Sequence, residues 1–241
     1  IQTGIFLLGA QEGCFDRIAV ADVDKNLVSE VRLSKGVIEI NIAGKNGISK
    51  SRIEGIEIFN PTDPCDSEKL IEFASDADEI ATALPCVKYF QHIANWMRRA
   101  FEKKPEKRRF IYTAENHNHA AEILEENIGK KFPATFYLNT VIGKMSGVVP
   151  ANECEIRKIA KLCPHADRGH LVEEFNKILI SSCHCIESRK IIGLHVKNEL
   201  LPFEEAKLYG HNAIHVLLGL HASEKGLKFM HELSGVPELI K

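Results

Sequence analysis

The chain has 241 residues, 31 of them basic and 33 acidic, for a formal charge of −2, with 44% hydrophobic and 27% charged residues. That composition belongs to a globular chain long enough to bury a sizeable core, and its near-neutral charge argues against bulk electrostatic capture of nucleic acid or of an anionic membrane. The apolar run at residues 213–222 is ten residues long and holds two histidines, well short of the ~20 residues that span a bilayer. Seven cysteines, an odd number, show no framework spacing, so a reducing, cytoplasmic setting is expected.

In chain order, residues 4–13 (GIFLLGAQEG) read as a helix and residues 17–22 (RIAVAD) as a short buried strand, half of a βαβ unit. Residues 25–33 have helical periodicity. Residues 37–43 (VIEINIA) and 53–59 (IEGIEIF) both alternate, and with a turn at 44–47 they suggest an antiparallel hairpin or meander. A helix is expected over 63–74, with Asp63 or Asp66 near its start, a strand over 79–84 stopped by Pro85, an amphipathic helix over 87–101 and a strand over 109–113. This alternation favours an α/β fold, a mainly parallel, doubly wound sheet of Rossmann type. From Cys154 onward the pattern turns mostly helical. The expected organisation is therefore a dinucleotide-binding domain at 1–150 and a helical substrate domain at 151–241.

Asp22 stands at the carboxyl end of what reads as the second strand of a nucleotide-binding fold, where a carboxylate hydrogen-bonds both ribose hydroxyls and selects NAD over NADP. A plain turn aspartate is an equal alternative. The phosphate-binding glycine loop is expected just before Gly4, outside this chain. Residues 97–109 (MRRAFEKKPEKRR) carry seven basic and two acidic side chains; with only Phe101 interleaved, they read as a solvated helix end rather than a nucleic-acid patch. His211 and His215 lie four apart, and Cys183, His184 and Cys185 cluster upstream. There is no CxxC pair and no glutamate after His211, so no metal is expected.

Residues 204–215 (EEAKLYGHNAIH) place an amine, an amide and an imidazole at Lys207, Asn212 and His215. At about 100° per residue, Lys207 and His215 differ by roughly 80° and Asn212 and His215 by roughly 60°, so all three converge from one broad face. A lysine desolvated beside a histidine acts as a base near neutral pH, and an amide next to it donates to a carbonyl or alkoxide oxygen. A snorkelling lysine and a satisfied histidine are the bland alternative.

These three residues and both gaps match the Lys, Asn and His signature of the mannitol dehydrogenase family, the polyol-specific long-chain dehydrogenases. The resemblance extends to the stretch PFEEAKL that leads into it, to GIFLLGA, which is similar to the helix after that family's glycine loop, and to AVADVD at the second strand. ATALP, with Ala83 and Pro85, is similar to the segment where the fourth strand approaches the cofactor, and TAENHNHAA resembles the family's acidic-Asn segment, Glu115 and Asn116. The resemblance implies NAD as cofactor, bound by Gly4, Asp22, Ala83, Pro85 and Glu115. It implies a polyol or polyol phosphate as substrate, Lys207 as general base, Asn212 and Asn116 on the alkoxide-like oxygen, and His215 orienting the lysine and binding a substrate hydroxyl, with no catalytic metal. A monomer or small homo-oligomer with no nucleic-acid or membrane partner is expected, and both ends are expected to continue in a longer protein. A hexuronate reductase of the same family and a non-catalytic nucleotide-binding relative are the alternatives. The pair Gly143 and Lys144 departs from the Asp-Arg pair of many relatives, Asn139 replaces an acidic position, and Lys144 and Arg189 are candidate anion contacts.

Overall fold

The computed structural model describes residues 3–143, 146–174, 177–227 and 230–235. They form two units, Ile1–Asn198 and Glu199–Lys241. In the first, helix α1 (Thr3–Glu12) leads into strand β1 (Ile18–Ala21) and helix α2 (Lys25–Leu33). Asp24 starts α2 by accepting from the amides of Asn26 and Leu27, which would otherwise lack partners at the helix end. Strands β2 (Ile38–Gly44), β3 (Gly47–Ile53) and β4 (Ile56–Phe59) follow. Helix α3 (Pro64–Asp76) begins at Asp63, whose carboxylate accepts from the Asp66 amide, with a proline in its first turn. Then come β5 (Glu79–Thr82), α4 (Phe90–Lys103), β6 (Arg109–Thr113), α5 (Ala120–Ile128), β7 (Thr135–Val141), β8 (Ser146–Pro150), α6 (Ala151–Ile156), β9 (Arg168–Glu173), β10 (Ile178–Ser181) and β11 (Leu194–Lys197).

Three sheets result. Strands β1 and β4 pair in parallel; β5, β6 and β7 are parallel neighbours extended by β10 and β11; β3, β2, β9 and β8 form the third. Strand β6 shows why the main sheet is covered on both faces. Its five residues are all buried, with Phe110 and Tyr112 entering a core shared with α1, α2 and β2, while Ile111 faces α4 and α5 through Phe101, Leu124 and Ile128. Side chains that alternate between two apolar cores define a doubly wound α/β layer. The Rossmann-type reading holds.

Two expectations change. The turn at 44–47 is present, but β2 pairs with Gly47–Ile53, and Ile56–Phe59 joins β1 instead. Strand β3 is an exposed edge with only Ile53 buried, so its polar residues hide its alternation. Gly55, at φ +73°, then redirects the chain so that β4 joins β1. Beyond Cys154 the chain is not mainly helical until Leu201, because β9 pairs with β2 and β8, β10 with β7, and β11 with β10. These short strands draw residues up to Asn198 into the first unit, and Pro150 falls inside it, at the junction of β8 and α6.

The second unit is helical: α7 (Leu201–Glu205), a π-helical segment (Ala206–Asn212), α8 (Ala213–Glu224) and a final 3-10 turn (Met230–Gly235). Helix α8 exposes Ile214, Val216, Leu217 and Leu220. No helix of the described residues is long and apolar enough to cross a membrane.

The basic run at 97–109 is largely spoken for. Arg99, Lys103, Lys104 and Lys107 pair with Glu68, Glu72, Asp76 and Asp78, on α3 and the loop after it. Arg109 is fully buried over the Phe101 ring and donates to the carbonyls of Ser75 and Lys104 at the carboxyl ends of α3 and α4. The negative ends of two helix dipoles face that cation in place of a carboxylate.

Candidate active site

In doubly wound sheets the ligand crevice lies outside the carboxyl ends of the strands. Strands β5 and β6 end together, with Thr82 opposite Thr113. Beyond them, Glu115 turns inward and is 4% exposed. One carboxylate oxygen accepts from the Thr82 hydroxyl at 2.7 Å and the other from the Leu84 amide at 2.8 Å. Burial pushes this carboxyl above the ordinary glutamate range, while the Leu84 amide and the Thr82 hydroxyl pull the other way. Ala83 and Pro85 flank Leu84 in the loop so held, and Asn116 is exposed immediately after Glu115. The structure thus brings Ala83, Pro85, Glu115 and Asn116 together.

Asp22 lies at the end of β1, partly exposed. Its Oδ1 accepts from the Asp24 amide at 2.9 Å, a turn-forming bond. Among the described residues its Oδ2 has no hydrogen-bond partner, so the turn reading and an open acceptor coexist in one side chain. Asp24 is bound at 2.7 Å by Arg168, the first residue of β9. Gly4 is buried in α1, where an added Cβ would rest against Ile40 and Val172 at ordinary contact distances. It lies where α1 meets β2 and β9, at a spacing that would admit an alanine as well.

Lys207, Asn212 and His215 are in the second unit, all partly buried, whereas Leu208, Tyr209, His211, Ile214 and Val216 are exposed. The three side chains therefore share the less exposed face of one continuous helix. What aligns them is the π segment, in which the Ala213 amide reaches the Leu208 carbonyl five residues back. In a regular α-helix residues 207 and 212 would stand about 140° apart. Bonds of i→i+5 type place residues five apart above one another, and Lys207 and Asn212 are separated by that interval. Burial lowers the pKa of Lys207 below the ordinary lysine value, the direction a proton acceptor needs. The His215 ring lies 4.2 Å, centroid to centroid, from that of His211.

Other candidates are differently employed. Arg189 donates to the carbonyls of Ile186 and Leu194 at 3.1 and 2.9 Å, so its guanidinium braces a loop. Asn139 accepts from the Ala121 amide at the start of α5 and donates to Glu122. Gly143 has open space where a Cβ would be, and Lys144 lies outside the described residues. Among the described residues no three His, Cys, Asp or Glu side chains are grouped to hold a metal ion. Sequence reasoning missed Thr82, the Leu84 amide and Arg168. Thr82 and Leu84 both lie within ATALP, the segment the resemblance points to, whereas Arg168 left no signal.

No family model matches the chain. It is 28% identical over 224 residues to the mannitol-1-phosphate 5-dehydrogenase of Lactococcus lactis subsp. lactis (strain IL1403), an alignment covering 89% of this chain and 55% of that relative. Among solved structures it resembles a Pseudomonas fluorescens mannitol 2-dehydrogenase, a ternary complex with NAD and D-mannitol, at a TM-score of 0.72 and 12% identity over 97% of this chain and 57% of that one. It also resembles a D-sorbitol dehydrogenase in substrate-free form, at a TM-score of 0.63 and 12% identity over 84% and 52%. The chain spans about half the length of these relatives. The sequence similarity supports the relationship to the mannitol dehydrogenase family read from the Lys, Asn and His signature, and the structural matches support the fold.

Proposed function

We propose that this chain carries the nucleotide site and the proton-transfer helix of an NAD-dependent polyol oxidoreductase, which interconverts a polyol or polyol phosphate with its ketose. The observation that carries the reading is the single helix face holding Lys207, Asn212 and His215, with the amine of Lys207 shifted by burial toward the base form. The similarity to mannitol-1-phosphate 5-dehydrogenase supports a phosphorylated substrate.

The residues at the strand ends fit a nicotinamide dinucleotide. The open Oδ2 of Asp22 is a free acceptor for a ribose hydroxyl, and its negative charge opposes a 2′-phosphate. NAD, when bound, supplies the acceptor for the hydride of the carbinol carbon. Lys207 takes the hydroxyl proton, and in the reductive direction returns it to the ketose oxygen. Asn212 donates to the oxygen on which charge develops, a contact stronger for alkoxide than for alcohol, and Asn116 is assigned to substrate at the strand ends. His215 orients the amine and holds a neighbouring substrate hydroxyl. Cofactor contacts are assigned to Asp22, Ala83, Pro85 and the loop fixed by Glu115, with Gly4 packing the helix that follows the phosphate loop.

The test is oxidation of NADH by the full-length protein with a panel of ketoses, ketose phosphates and keto-uronates. A ketose phosphate is expected to turn over fastest. Lys207→Ala is expected to abolish turnover at neutral pH while NADH affinity stays within about threefold, with partial rescue by added primary amines. Binding of NADH without reduction of any compound in the panel refutes the enzyme reading. Unchanged turnover in Lys207→Ala removes that residue from the mechanism.

A further inference from the structure

We propose that Glu115 is a positioning residue: it shapes the loop after β5 through the Leu84 amide and the Thr82 hydroxyl, and so sets affinity for the nicotinamide cofactor without touching it. The inference rests on the nucleotide reading above.

Geometry carries it. Glu115 belongs to the segment after β6, yet both its oxygens reach across to the end of β5, at 2.7 Å on the Thr82 hydroxyl and 2.8 Å on the Leu84 amide. A further cross-link between the same two segments is the Ala114 amide donating to the Thr82 carbonyl at 3.1 Å. With 4% exposure and both oxygens engaged inward, the carboxylate has no face left for a ligand. The loop instead turns outward, Pro85 exposed and Ala83 partly so. A buried carboxyl is costly, and one that links two loops at the strand ends holds a local shape that a smaller apolar side chain does not.

The bonding also separates shape from charge. In Glu115→Gln the amide oxygen still accepts from the Leu84 amide, while its NH2 donates to the Thr82 hydroxyl oxygen. The bridge survives and the charge is lost. In Glu115→Ala both bonds go and the Leu84 amide is left without its acceptor.

The experiment measures NADH affinity by fluorescence and the exchange rate of the Leu84 amide, in the full-length protein and in Glu115→Ala, Glu115→Gln and Thr82→Val, with kcat alongside for any ketose found to turn over. Glu115→Ala is expected to weaken NADH binding about tenfold or more and to deprotect the Leu84 amide, with kcat at saturating cofactor within about threefold. Glu115→Gln is expected to keep both affinity and protection within about threefold, and Thr82→Val to fall between. If Glu115→Ala does not fold, the Gln and Val variants carry the test. A Gln variant with affinity reduced by tenfold or more shows that the charge itself acts, and overturns the proposal. So does a wild type that binds NADH no better than Glu115→Ala. A wild type that does not bind NADH at all overturns the nucleotide reading and this proposal together, an outcome distinct from both.

Discussion

The π segment makes an unusual prediction: deleting one residue from it should matter less than deleting one just after it. Lys207 and Asn212 are five apart and bridged by i→i+5 geometry. Removing Tyr209, which is 73% exposed, leaves them four apart. If the segment closes as regular α-helix, two residues four apart stand only about 40° from alignment and about 6 Å along the axis, so amine and amide stay on one face. Asn212 and His215 keep their spacing of three. Deleting Ala213 instead leaves the π turn intact and swings His215 by about 100° and about 1.5 Å relative to Asn212. A misplacement of about 1 Å costs on the order of 10²-fold in rate. The Ala213 deletion should therefore lose at least about 10²-fold in kcat, while the Tyr209 deletion loses no more than about tenfold. Initial rates of NADH oxidation with the best ketose of the panel, beside far-UV circular dichroism to confirm helix content, make the comparison. Equal losses in two folded variants, or a larger loss for the Tyr209 deletion, would refute the claim that the extra residue serves only to bring Lys207 and Asn212 onto one face.

Two further predictions address other parts of the chain. Asp22→Ala removes the open acceptor at the end of β1; NADH should bind about tenfold more weakly and the preference over NADPH should narrow, whereas a variant that keeps both affinities would show that Asp22 serves only the turn to Asp24. His170, in β9, has its pKa pushed from 6.5 down to about 4, by burial first, with Arg168 among the further causes. The unfolded chain binds this proton where the folded chain does not, so stability is present above the ordinary histidine value and is lost as pH falls from about 6.5 toward 4. The full shift corresponds to about 3 kcal/mol. Denaturant titrations at stepped pH should show this limb in the wild type and a clearly shallower one in His170→Gln; superimposable limbs would place His170 outside the acid response.

The fold was legible where burial imposes a period. Residues 109–113 are all buried and matched their predicted strand end to end, and α3 began where Asp63 caps it and a proline follows. Legibility failed where solvent imposes no period and where pairing partners are distant in sequence. Strand β3 is an exposed edge, so solvent imposes no alternation on it. Strands β9 to β11 are four to six residues long; β9 pairs with β2 and β8, β10 with β7, and β11 with β10. A pattern method sees local hydrophobicity, and these strands are stabilised chiefly by neighbours that pattern does not contain.

The candidate site divides in the same way. The residue types were readable: an amine, an amide and an imidazole stand at 207, 212 and 215, and all three are partly buried. The alignment of Lys207 with Asn212 was not readable, because α-helical spacing alone left them about 140° apart. Only the π turn closes that angle, and nothing in LYGHN announces one. Glu115 carries two readings, a cofactor contact from its place in the sequence and a positioning role from its bonds. An acidic residue at the end of a strand reads as a ligand contact, whereas the two inward bonds of Glu115 are the ground for the positioning role proposed above. Asp22 differs in the one respect that decides the matter, an oxygen left over after the turn is made. At the strand ends of this fold, counting the engaged oxygens of each carboxylate separates a residue that shapes the crevice from one that can meet what enters it.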